Sequence, residues 1–146
     1  METTEIDAVD ARIIGTLRRD GRMSWRQLAD EVFLAPSSVA DRVRRLENDG
    51  VITGYTAVIN PEAVGRNVRA MIDVSLVPGD HAAAFEQRLA SRDEIVFAAY
   101  VTGSSDYSII AECRGTEGLD AFVRWVRADE AVASTESRLL LRSLVG

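Results

Sequence analysis

At 146 residues, 47% apolar and 27% charged, the chain has room for one ordinary domain or two small ones, and its composition is that of a soluble globular protein rather than a disordered one. No window reaches the roughly 20 apolar residues that cross a bilayer, and Met1-Glu2-Thr3-Thr4-Glu5 lacks the basic and apolar regions of a signal peptide, so no membrane partner and a cytoplasmic location are expected. One cysteine, Cys113, and one histidine, His81, allow neither an internal disulfide nor a metal cluster, and no cofactor is expected.

A net charge of −6 argues against a nucleic-acid partner until its distribution is considered. From Arg12 to Arg45 there are eight arginines against four acids, whereas Pro61 to Gly146 carries nine arginines against thirteen acids. Every basic residue is arginine, which suits phosphate and guanine recognition and fits a genomic composition bias equally well.

Ile6, Val9, Ile13, Ile14 and Leu17 recur at helical spacing before Asp20-Gly21, which predicts a first helix from about Asp7 to Arg19. Ser24-Trp25-Arg26-Gln27 has the form of a capping box, with Leu28, Ala29 and Val32 as the apolar face of a second helix ending near Val32. Pro36 suits the first turn of a third helix, with Val39, Val43 and Leu46 on one stripe and Asn48-Asp49-Gly50 as its close. At about 100° per residue the opposite face carries Ser37, Asp41, Arg44 and Asn48, with Ser38, Arg42 and Arg45 on its shoulder. Standing alone, such a face reads as a solvated charged surface. Preceded by a capped helix and a short turn, it reads as the recognition helix of a helix-turn-helix, in which arginine grips guanine and serine reaches phosphate or base edges. Arg22 and Arg26 are further candidates for backbone phosphates or for plain solvation, and Trp25 for packing near a phosphate or, as the preferred reading, for an anchor of the second helix. Val51 to Ile59 is β-branched and aromatic and reads as a strand or wing; residues 61–67 read as a linker.

Val68, Ala70, Ile72, Val74 and Leu76 alternate with Arg69, Met71, Asp73 and Ser75 in a strand that ends at Pro78-Gly79. Asp80 is the expected cap of a helix with Phe85 and Leu89 inward and His81 on its surface. Strands are expected over Ile95–Thr102, Tyr107–Cys113 and Thr135–Val145, and a helix carries Leu119, Phe122, Val123 and Val126. The order βαββαβ is the ferredoxin-like arrangement, with both helices on one face of a four-stranded antiparallel sheet. Its open face, with Met71, Val96, Ala98, Ile110, Leu140 and Leu144, is too apolar for solvent and is expected to dimerise.

Together these segments resemble the Lrp/AsnC family of leucine-responsive and feast/famine regulators. The likeness runs through Ile6-Asp7, Asp10, Ile13-Ile14, Leu17, Asp20-Gly21-Arg22, Leu28-Ala29, Val39, Arg42, Arg44-Arg45-Leu46-Glu47, Gly50-Val51-Ile52, Gly54-Tyr55, Asn60-Pro61 and Gly65. It continues through Thr102-Gly103-Ser104-Ser105-Asp106-Tyr107, Val132 and Thr135-Glu136-Ser137. The resemblance implies an α+β protein: a winged helix-turn-helix in residues 1–60 and a ferredoxin-like sensing and oligomerisation domain in 68–146. It implies a transcription regulator, not an enzyme, that binds palindromic double-stranded promoter DNA as a homodimer or as a tetramer or octamer. An amino acid or related effector would lie between sensor domains near Gly103, Ser104, Ser105 and Asp106, with Tyr100, Thr102 and Thr135 as candidate walls. Glycine there permits close approach to backbone N–H groups, and a carboxylate can pair with an ammonium; the same residues could equally just make the hairpin. Some proteins of this architecture resemble sirohaem decarboxylases, an alternative for which this chain offers only His81. One departure stands out. Where the family has glycine, leucine, serine between the second and third helices, this chain has Phe33-Leu34-Ala35, so neither a left-handed glycine nor a serine cap is available and the turn is expected to differ in detail.

Overall fold

The computed structural model describes residues 5–142, and the chain divides into two compact units, Met1–Val58 and Ile59–Gly146. The first is built on α1 (Ala8–Arg19), α2 (Trp25–Val32) and α3 (Pro36–Asn48). Asp7 caps α1 from just outside it, in a reciprocal box with Asp10. The Gln27 N–H donates to Ser24 Oγ at 3.3 Å while the Ser24 N–H donates to Gln27 Oε1 at 3.0 Å, the box expected from the sequence. Ile13, Leu28, Val39, Val43 and Leu46 are fully buried together, each contributing about 1.5–3 kcal/mol through the apolar area it removes from water. Trp25 does not serve as the expected anchor: it is 44% exposed and lies outside that core.

Between α2 and α3 the chain turns through Phe33 at φ 58°, ψ 45°, the single positive-φ residue other than glycine among the described residues. The left-handed turn therefore survives the loss of glycine. The N–H groups of Phe33 and Leu34 both bond the Ala29 carbonyl, and Leu34 packs on the core, so the surroundings dictate a conformation that Phe33 would not choose. Ala35 occupies the cap position of α3 without a side-chain bond, as expected, and Pro36 follows inside the helix.

The stretch read as a strand or wing, Val51 to Ile59, has no ladder partner among the described residues. Its first two N–H groups, of Val51 and Ile52, bond the Leu46 carbonyl at 2.8 and 3.0 Å and are spent on closing α3. Val58 and Ile59 are 96% and 60% exposed. Its β-branched and aromatic residues fit this segment for pairing, but a strand exists only where a second strand accepts its hydrogen bonds.

The second unit opens with a 3₁₀ turn, Glu62–Val64, inside the stretch read as linker. It then runs β1 (Val68–Leu76), α4 (Ala82–Ala90), β2 (Ile95–Tyr100), β3 (Tyr107–Cys113), α5 (Gly115–Arg127) and β4 (Val132–Leu139). The antiparallel sheet has the order β2-β3-β1-β4. Ala70, Ile72, Val74, Tyr107, Ile109, Ala111 and Cys113 meet Phe85, Leu89, Phe122 and Val126 in its core. Cys113 is thus the small buried hydrophobe its strand position implied, and burial, followed by the Glu94 charge, pushes its thiol up.

Four details correct the sequence reading. Asp80 does not cap α4; the cap position falls to His81, which is exposed and makes no side-chain cap. The second strand ends at Tyr100 instead of Thr102. The last strand begins at Val132 and ends at Leu139; of the residues expected beyond it, 143–145 lie outside the described residues. Finally, the register of β2 on β3 slips between Ile95 and Phe97. This bulge puts Ala98 opposite the buried Ile109 and Phe97 opposite Ile110, so Phe97, not Ala98, belongs to the open face.

Candidate functional site

On α3 the apolar stripe faces α1 and α2, and Ser37, Ser38, Asp41, Arg44 and Arg45 are exposed while Arg42 is half-buried. The three arginines are not equivalent. Arg44 donates to Asp41 at 2.7 Å, a pair with both members largely exposed and so worth little. Arg42 uses Nη1 to bond Asp7 at 2.6 Å and Asp10 at 2.8 Å, and Arg45 uses Nη2 on the other oxygen of Asp10. Asp10 is fully buried. Burial pushes its carboxyl up, but hydrogen bonds from Arg42 and Arg45 outweigh that and hold it below the usual carboxylate range. Sequence reasoning missed Asp7 and Asp10 as partners of the recognition helix; the available signal was the spacing of two acids around the start of α1. Arg22 and Arg26 are exposed at the start of α2.

In the second unit, Val101 to Asp106 turns β2 into β3. Gly103 sits at φ 126°, a conformation that favours glycine, and a Cβ added to it would meet nothing within 4 Å, so the turn is open on that side. The Asp106 N–H donates to the Val74 carbonyl at 2.9 Å, and its Oδ2 accepts from the Leu76 N–H at 2.7 Å. Among the described residues its other oxygen takes no hydrogen bond. Thr102 just before the glycine and Ser104 just after it are exposed, and Ser105 is half-buried; the Ser75 hydroxyl donates to the Ser104 carbonyl at 3.4 Å.

The two remaining candidate walls do not meet. Tyr100, Tyr107, Val74 and Thr135 lie opposite one another in turn, one row across all four strands. Three strand spacings separate Tyr100 from Thr135, about 14 Å. Tyr100 is 71% exposed and stacks edge-on to Tyr107 at 5.3 Å, while Thr135 accepts from Arg127 Nε at 2.7 Å. A small ligand in one chain cannot touch both. The sequence also gave no sign of Glu86, which accepts from the buried Tyr107 hydroxyl at 2.7 Å; burial first, then Glu86, pushes that phenol up to about 12. Beside this pair Leu89, Ile95 and Ala98 line a small cleft of about 270 Å³.

Two family models match the chain: winged helix-turn-helix DNA-binding over residues 6–53, and the Lrp/AsnC ligand binding domain over 69–146. The chain belongs to the Lrp/AsnC family of transcriptional regulators. Among Lrp/AsnC relatives, it is 37% identical to the HTH-type transcriptional regulator AldR of Mycobacterium tuberculosis, over 97% of this chain and 81% of that one. Its fold matches a transcriptional regulator of Neisseria meningitidis solved with L-Met at a TM-score of 0.92, with 26% identity, over 97% and 94% of the two chains. A feast or famine regulatory protein of M. tuberculosis complexed with L-methionine matches at 0.86 and 30% identity, over 97% and 96%. The four-stranded unit is therefore the family's ligand-binding domain, and the three helices belong to its winged helix-turn-helix DNA-binding domain. Among the described residues no helix is long and apolar enough to cross a membrane.

Proposed function

We propose that this Lrp/AsnC regulator binds specific double-stranded DNA through the face of α3 that carries Ser37, Ser38, Asp41, Arg42, Arg44 and Arg45. The observation that carries this reading is the division of α3: Val39, Val43 and Leu46 are fully buried against the other helices, which leaves the hydroxyls and guanidiniums outward on a helix of 13 residues, thick enough to fill a major groove. In the second unit an amino acid or related metabolite lies at Gly103, Ser104, Ser105 and Asp106, between sensor domains of a homodimer or larger oligomer. Three features support it: the open left-handed glycine, the spare oxygen of Asp106 for an ammonium, and the separation of Tyr100 from Thr135. If both Tyr100 and Thr135 contact effector, they do so from different copies. Two solved relatives hold methionine. The open sheet face, with Met71, Phe97, Ile110 and Leu140 around the Asp73–Arg138 ion pair, supplies a self-complementary surface for the dimer. Effector binding then alters the arrangement of subunits and with it the spacing of paired recognition helices on palindromic promoter DNA.

The test has two arms. Enriching duplexes from a random pool with the full chain should yield a two-fold symmetric sequence; failure to enrich any sequence removes the DNA reading. A thermal-shift screen against all the amino acids should single out one or a few that raise the melting temperature by mass action. No shift with any of them, in an oligomer confirmed by mass, removes the amino-acid reading.

A further inference from the structure

Asp10 is a charged side chain buried where an aliphatic residue of α1 would pack at no desolvation cost, and replacing buried ion pairs by hydrophobic residues is often neutral or stabilising. Stability alone therefore does not account for it. What it contacts does. Its two oxygens receive Arg42 and Arg45, one turn apart on α3, and the same Arg42 nitrogen reaches Asp7. Each guanidinium has five N–H donors in a fixed fork, and among the described residues only one nitrogen of each is engaged. The side chains of Arg42 and Arg45 remain 31% and 44% exposed, so the rest of each fork is open to the surface. Arg44 differs: among the described residues its only ion pair is with an Asp41 that is itself 73% exposed.

We propose that Asp10 is a positioning residue for DNA recognition: it orders Arg42 and Arg45 before DNA arrives, so that α3 presents two fixed guanidinium forks and one mobile arginine. The proposal rests on the reading of α3 as the DNA-contacting helix. Ordering two long side chains in advance removes an entropic cost of binding, worth about tenfold in affinity. The advantage falls on specific sites, where geometry must match, and not on non-specific DNA, where any arginine conformation reaches phosphate. Simple electrostatics predicts the opposite sign. The cleft between α1 and α3 is lined by Glu5, Asp7, Asp10 and Asp41 with Arg42 and Arg45, so deleting a negative charge there should tighten binding to all DNA.

The experiment uses the full chain, a duplex enriched from a random pool, and poly(dI-dC) as non-specific competitor. Asp10→Asn should lower the ratio of specific to non-specific affinity about tenfold, with non-specific affinity unchanged or raised and its salt slope unaltered. A ratio that stays constant overturns the proposal. So does an equal loss in both affinities, which is what a mere decrease in folded protein produces. Asp7→Asn keeps a side chain that caps helices well and removes only one of the two carboxylates on Arg42; its ratio should fall about twofold to threefold, and this variant decides if Asp10→Asn does not fold. Arg44→Ala distinguishes the two readings. If it weakens binding while Asp10→Asn leaves the ratio unchanged, only the positioning role fails; if the wild type enriches no sequence, both fail.

Discussion

Both units place a carboxylate beside the residues assigned to binding, and they use it differently. Asp10 of the helical unit is fully buried and accepts from two arginines of α3, the contacts on which its proposed positioning role rests. Asp106 of the sheet unit is half-buried and bonds a backbone N–H, so it fixes a turn and keeps one oxygen to spare. On the proposed readings the helical unit is prepared as a surface before its partner arrives. The sheet unit then offers half a site, since the two proposed outer walls, Tyr100 and Thr135, stand at opposite edges of one sheet.

The largest test of that contrast is on the helical side. Arg44→Ala with Arg45→Ala should cost about a hundredfold in affinity for an enriched duplex, two base or phosphate contacts of ordinary strength, and reduce the log–log salt slope by about two. Unchanged affinity and slope would mean that this face of α3 does not meet DNA.

On the sheet side the strongest lever is pH. Tyr107 is raised to about 12 in the folded chain, against about 10 when unfolded. A raised value stabilises the fold fully below pH 10, and that contribution, on the order of 2–3 kcal/mol, is lost as pH climbs through 12. Asp10 runs the other way: its depressed value gives the helical unit stability that is present above the unfolded carboxylate range and disappears as pH falls through the folded value. Urea midpoints followed by separate probes for the two units should therefore fall at the alkaline end for the sheet unit, and Tyr107→Phe should flatten that limb. An alkaline limb untouched by Tyr107→Phe would place the titration elsewhere. Smaller still, Asp106→Ala leaves the Leu76 N–H without its acceptor, costing about 1–3 kcal/mol. It should also abolish any amino-acid-induced rise in melting temperature; retention of that rise in a folded variant would show that the carboxylate serves the turn alone.

How much of this was readable depended on the range of each interaction. Helix α3 and strand β1 were legible because their apolar stripes and Pro36 are local facts, and the order of strands followed from their succession. The register of β2 was not, because a one-residue bulge at Val96 leaves no mark in composition and yet sends Phe97 and Ala98 to opposite faces. The strand over Val51–Ile59 is missing for a different reason: β-branched and aromatic residues show fitness for pairing, while pairing requires a partner strand, and none among the described residues takes that place. At the proposed sites, Gly103 followed from the family resemblance, and the outward arginines from residue type and helical spacing. Asp10 was not found as their partner, since 32 and 35 residues separate it from Arg42 and Arg45, and neither was Glu86, since its role depends on where Tyr107 points.

The smallest effect concerns the turn between α2 and α3, which joins both arguments about local rules. Phe33 holds a left-handed conformation that costs a residue with a Cβ about 1 kcal/mol or more, and its ring is 81% exposed, so packing returns little. The one contact that offsets this is the Arg12 guanidinium, 5.5 Å from the ring centroid, worth about 0.5–1 kcal/mol at an exposed site. Glycine would remove the strain and also the stack, and would add entropy to the unfolded chain. The three terms nearly cancel, which is why a chain can keep phenylalanine in a backbone conformation that favours glycine. Phe33→Gly should accordingly change stability by less than about 1 kcal/mol, and Arg12→Ala should destabilise the wild type more than it does the glycine variant. A double-mutant cycle on urea midpoints measures the difference directly. Zero coupling between positions 12 and 33 would leave the strain at Phe33 uncompensated within the helical unit.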